Sequence, residues 1–171
     1  MRMIRFFIRS VDRANEIIAK AVSIMLVAMV ATLAVEVFAR YLLKRPTIWA
    51  YDMAIFMFGY CGLLAGAYVL KMNEHINVDL FYSKFSPRVR AIVESFTSLL
   101  FFFFILLVTF YGWESAWVAI QSGDRRPTEW GPPLGHYRLM IPLAGFLLFL
   151  QGLANWIRNI YLAITGKRMT I

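Results

Sequence analysis

Three stretches of this chain carry no charged side chain over 18 or more residues: Met53–Leu70, Ser95–Trp113 and Leu139–Ile157. About 20 apolar helical residues span roughly 30 Å of hydrocarbon. Lipid offers no hydrogen-bond partners, so a segment crossing it must pair its own backbone, as a helix does. A fourth run, Ala21–Val35, is shorter and reaches about Leu43 only by carrying Glu36 and Arg40 near its end. Composition points the same way. Hydrophobic residues make up 60% of the chain and charged ones 16%, with a mean hydropathy of +0.63. Soluble domains sit near 45–50% and about 25%. One small core cannot bury this much apolar material. The expected fold is an all-α membrane protein, a single four-helix membrane domain over 1–171, with transmembrane helices near 19–42, 48–71, 89–119 and 137–161.

Charge placement sets the expected orientation. With the N-terminus inside, twelve Lys and Arg side chains fall on the inner side and six on the outer. The positive-inside rule then puts both termini in the cytoplasm, N-in/C-in. Trp49, Trp113, Trp117 and Trp130 fall at the outer boundary, and Tyr82, Trp156 and Tyr161 at the inner one. The net charge of +8 lies at the ends of apolar runs, not on one polar face as a nucleic-acid binder would have it. Before the first run, Ile4, Phe7, Ile8, Val11 and Ile18 recur at helical spacing between arginines. This predicts a basic amphipathic helix lying on the inner interface. The basic start resembles a signal peptide, but the run leads into Glu36 and Arg40 and not into a small-residue cleavage site.

Few residues offer chemistry. His75 lies among Asn73, Glu74, Asn77 and Asp79 in the connector between the second and third runs. A zinc site needs three or four converging ligands, and the other histidine, His136, falls on the opposite side in this topology. His75 and Asp79 are read as neighbours in a polar connector. One cysteine, Cys61, excludes an internal disulfide and any multi-cysteine metal site. The sequence shows no nucleophile–base pair, phosphate loop or nucleotide motif, so neither an enzyme nor a cofactor is expected.

Glu36 is the one acid within an apolar run, and an intramembrane acid is a functional candidate by default. One reading makes it the proton carrier of a self-sufficient four-helix exporter. The other pairs it with Arg40, one turn later in the favourable acid-first order. Asp52 opens the second helix, where an acid complements the helix dipole. Thr47 is its expected cap and Arg40 a candidate partner. Gly59, Gly62 and Gly66 give the second helix a small-residue face on which another helix can pack closely. Gly145 and Gly152 offer a similar face on the fourth, with Gln151 and Asn155 placed for interhelical hydrogen bonds. The Gly- and Pro-rich segment 121–137 is the sizeable outer loop. Its Asp124, Arg125, Arg126, Glu129 and Trp130 are candidates for docking a soluble partner.

Arg40, "WAYD" at 49–52, Gly59 and "GLLAGAYVLKMNEHINVDLF" at 62–81 together resemble the small membrane subunit of tripartite ATP-independent periplasmic (TRAP) transporters. The likeness runs over all four helices. Tyr51 stands where the commoner pattern has a first acid, and Asp52 keeps the second. The resemblance implies a scaffold role beside a large membrane subunit that moves by an elevator mechanism, in sodium-coupled uptake of an organic acid. It also implies a periplasmic binding protein that delivers the substrate, residence in the bacterial inner membrane, and contact with membrane lipid but not with nucleic acid. Glu36, Arg40, Trp49, Asp52, Gly59, Gly62, Gly66, His75 and Asp79 are then structural or subunit-interface candidates.

Overall fold

The computed structural model describes residues 2–72 and 87–166. Within them lie four helices: α1 (Arg2–Tyr41), α2 (Ala50–Lys71), α3 (Pro87–Ser122) and α4 (Gly135–Thr165). All four are long and apolar enough to cross a membrane.

The largest departure from expectation is α1. In place of an interfacial helix followed by a spanning one, a single helix runs unbroken through 40 residues, about 60 Å at 1.5 Å per residue. The reason is in the sequence. Residues 2–41 contain neither Gly nor Pro, the two residues that most weaken a helix interior. The helix stops where Lys44 adopts φ 51° and Arg45 N–H donates to Ala39 O at 3.0 Å. Pro46 follows and has no N–H to continue the ladder. The other helices start and end within a few residues of their expected bounds. Pro87 is the first residue of α3, a position that suits its fixed φ. Pro142 lies well inside α4 and is buried.

The helices pack as a row, not as a closed bundle. α1 lies on α2, α2 on α4, and α4 on α3 along most of its length, with a smaller α1–α4 contact. The residues at these seams are small. Most buried apolar side chains are alanines, among them Ala50, Ala54, Ala116, Ala119, Ala144 and Ala154. Large apolar side chains point outward instead: Val27 is 71% exposed, Leu100 74% and Phe104 63%. A soluble protein would invert this arrangement. In lipid it is expected, because association there comes from close backbone approach and interhelical hydrogen bonds. The tightest seam is α3–α4. A Cβ on Gly152 would come within 2.6 Å of Phe101 Cε1, and one on Gly112 within 2.7 Å of Ile141 Cγ2. Gly145 meets Thr109 just as closely.

Candidate functional site

Between the two ends of the row, no charged residue interrupts the spanning parts of the helices. Polar side chains gather at the ends, which are named here after Glu36 and Asp12.

At the Glu36 end, Glu36 is 6% exposed. Arg40 donates to its Oε1 from Nε at 2.9 Å and from Nη2 at 2.5 Å. Thr47 donates to Oε2 from its backbone N–H at 3.0 Å and from its hydroxyl. Both carboxylate oxygens are therefore engaged, and the acid ties the end of α1 to the link before α2. Thr47 is not the cap of α2. That position belongs to Trp49, whose side chain makes no capping bond.

Asp52 is 1% exposed in the first turn of α2. Its cation is Arg126, Nε 3.2 Å from Oδ1, and not Arg40. Thr128 Oγ1 donates to its other oxygen at 2.5 Å. The loop that brings these partners in is a small folded unit. Arg125 and Pro133 form an antiparallel bridge. Arg126 N–H donates to Pro132 O at 3.0 Å and Leu134 N–H to Asp124 O at 2.8 Å. Gly131 at φ 58° makes the turn, a conformation glycine adopts without a Cβ penalty.

The five expected docking residues therefore divide. Arg126 points inward, to Asp52. Asp124 accepts from Ser122 Oγ at 2.8 Å and pairs with Arg138 at 3.3 Å. Arg125, Glu129 and Trp130 remain exposed, with Arg125 Nη1 donating to Gly131 O at 3.2 Å.

The glycine face of α2 divides as well. A Cβ on Gly59 would collide with the Tyr137 ring of α4, and one on Gly66 would touch Leu148 at 3.7 Å. Nothing lies within 4 Å of the Gly62 position. His136 packs between Phe56 and Tyr60, at ring distances of 5.1 and 6.3 Å. Among the described residues no group of three or more His, Cys, Asp and Glu side chains converges to hold a metal. His75 and Asp79 lie outside the described residues.

The Asp12 end holds a cluster in which Gln151 and Asn155 make the interhelical hydrogen bonds expected of them, with Asp12, Asn15, Lys71 and Arg158 as partners that the sequence reading did not single out. Asn15, 1% exposed, donates from Nδ2 to Gln151 Oε1 at 2.7 Å, and Gln151 is fully buried. Gln151 Nε2 donates to Asp12 Oδ1 and to Asn155 Oδ1, both at 3.2 Å. Asn155 Nδ2 donates to Leu70 O at 2.8 Å. Arg158 pairs with Asp12 and donates to Asn155 Oδ1 at 2.8 Å. Lys71 Nζ lies 3.4 Å from Asp12 O and 3.6 Å from Glu16. The cluster joins α1, α2 and α4. The available signal was Asn15 standing in register with Ile8 and Val11 on the apolar stripe of α1, where a polar residue calls for a buried partner.

A sequence profile of the family described as "Tripartite ATP-independent periplasmic transporters, DctQ component" matches residues 29–161. The chain belongs to this family. It is the small permease subunit of a TRAP transporter and a multi-pass membrane protein. Two curated relatives are similar over about half of it. One is the sialic acid TRAP transporter small permease protein SiaQ of Vibrio cholerae, 28% identical over 90 residues, which are 53% of this chain and 49% of the relative. The other is the sialic acid TRAP transporter permease protein SiaT of Haemophilus influenzae, 26% identical over 86 residues, 50% of this chain and 14% of the relative. The chain thus matches less than half the length of either. The family is a transporter component and not an enzyme family, and the DctQ match includes Glu36, Arg40, Asp52 and the whole of α2 and α3.

Proposed function

We propose that this subunit is the fixed scaffold partner of a large membrane subunit, in sodium-coupled uptake of an organic acid handed over by a periplasmic binding protein. The observation that carries this reading is where polarity and apolar surface lie. The charged and buried polar groups tie helices together at the two ends, and the apolar span between them carries no charged residue that could hold an anion or a cation. The outward faces of α1 and α3 carry large exposed apolar side chains, which suit contact with lipid or with another membrane subunit. Membership of the DctQ family supports the transport role. The SiaT match supports the partnership, since a permease several times longer carries a segment similar to this chain. In this arrangement the protein sits in the bacterial inner membrane with both termini inside, and the exposed Arg125, Glu129 and Trp130 face the binding protein.

The exporter alternative needs a carboxylate free to take and release protons. Glu36 instead has both oxygens engaged by Arg40 and Thr47, which favours the structural role. The test is reconstitution into liposomes with a sodium gradient, with and without the large subunit and the binding protein. Organic-acid uptake should require all three components. Uptake or proton-coupled efflux by this chain alone would overturn the scaffold reading.

A further inference from the structure

Arg2, Arg5, Arg9 and Arg13 form a single stripe along α1. Their spacings of 3, 4 and 4 residues keep them on one side of a 3.6-residue helix over three turns. The rotation of this segment is fixed by packing. Ile8, Val11 and Asn15 are buried on the other side, against Leu150, Gln151, Ala154 and Ile157 of α4. All four arginines are exposed. Among the described residues none of them has an acid within ion-pair distance. The two nearby acids are already engaged, Asp12 with Arg158 and Glu16 with Lys20 and Lys71. Beside the stripe, Phe6 is 74% exposed and Met3 86%.

Depth along the helix follows from Lys71. It is the first charge after the uncharged Met53–Leu70 span, and its ammonium lies against the backbone of Asp12. On α1 itself the uncharged run begins at Ala21, after Glu16 and Lys20, and Lys71 also meets Glu16, so the boundary at this end lies between Lys20 and Asp12. Arg13 and Arg9 stand within one turn of Asp12, and Arg2 about 15 Å beyond it along the axis. Long arginine side chains bend back toward the boundary while their stems stay on apolar surface. We propose that this stripe is a binding site for anionic phospholipid headgroups, with the guanidiniums on the phosphates. The chemistry is complementary on both counts. Guanidinium groups bind phosphate oxygens through paired N–H donors. Basic clusters next to a membrane helix recruit anionic lipid, and the exposed Phe6 ring beside the stripe adds apolar surface to it.

The test uses the full chain in nanodiscs of phosphatidylcholine with a graded fraction of phosphatidylglycerol. Native mass spectrometry counts the phosphatidylglycerol retained. Each arginine near the surface is worth about fivefold in affinity, so Arg2→Gln, Arg5→Gln and Arg9→Gln combined should weaken retention about a hundredfold. The corresponding triple Lys variant, which keeps the charge, should retain most of it. An unchanged thermal melt checks that folding is intact, as expected for side chains pointing away from the packed face. Displacement of phosphatidylglycerol by millimolar inorganic phosphate would show a free-anion site and overturn the lipid assignment. Equal phosphatidylglycerol retention by the Gln variant and the wild type would overturn it too. If that variant instead lost the large subunit on co-purification, the stripe would be a protein contact.

Discussion

Replacing Gln151 by Leu tests whether the Asp12 cluster holds the helices together. Leu nearly matches the volume and removes every polar atom. Gln151 is fully buried and Asn15 is 1% exposed. Nδ2 of Asn15 has Gln151 as its acceptor, and Oδ1 of Asn15 is without a hydrogen-bond partner. Gln151→Leu therefore leaves a whole amide stranded in an apolar seam. A stranded buried polar group costs about 1–3 kcal/mol, whereas replacing both partners by apolar groups is nearly neutral. The converse change, Asn15→Leu, is milder, because Gln151 Nε2 keeps Asp12 and Asn155. The double variant should recover part of the loss. The coupling read from the cycle should fall near the membrane values, about 0.6 kcal/mol on average and up to about 1.7. The assay is thermal unfolding of the purified chain in detergent. A loss of 1 kcal/mol corresponds to about 2–4 °C at this chain length. If the double variant is as unstable as the two single losses added together, the pair is not coupled and the reasoning fails.

Arg126→Ala should destabilise the chain by about 3 kcal/mol, the low end for one-sided loss of a buried pair, since Thr128 still donates to Asp52; Arg125→Ala should leave the melt unchanged. For docking, Arg125→Glu is accordingly the clean variant, and uptake rate against binding-protein concentration at two salt levels should show the slower encounter expected of a rim charge. Gly152→Leu should lower the melting temperature by an overpacking cost of about 1–3 kcal/mol, while Gly62→Leu should not, and a loss of large-subunit co-purification confined to Gly62→Leu would locate that face at the subunit contact. Glu36→Gln should preserve assembly and uptake in the reconstituted transporter, and loss of uptake from an intact complex would reinstate Glu36 as an ion or proton site.

The spanning helices were legible because the absence of charge over a membrane's thickness is a property of the chain itself. The continuity of α1 was legible too, in its lack of Gly and Pro, but the arginines between Ile4 and Val11 pointed to a separate interfacial segment. What decides between them is α4. Its Leu150, Ala154 and Ile157 accept Ile8 and Val11, a tertiary fact that the spacing of one helix does not contain. Glu36 and Arg40 could be paired on paper because they are one helical turn apart. Asp52 could not be assigned, because Arg126 lies 74 positions later in the chain and reaches it only through the folded loop. The same holds for Asn15 and Gln151, 136 positions apart.

The ties described at the two ends have a mechanical consequence. Glu36–Thr47 and Asp12–Lys71 pin α1 to α2 at opposite ends of the span, about 36 Å apart on α1. Asp52–Arg126 and Leu70–Asn155 do the same between α2 and the α3–α4 half. Four rods pinned at both ends make a braced frame. Such a frame resists shear, since sliding one half past the other by a single helical turn, about 5.4 Å, would break the pins at both ends together. The row of helices is therefore stiff against shear, one plate and not a hinge, which is the property the scaffold role proposed above would call for.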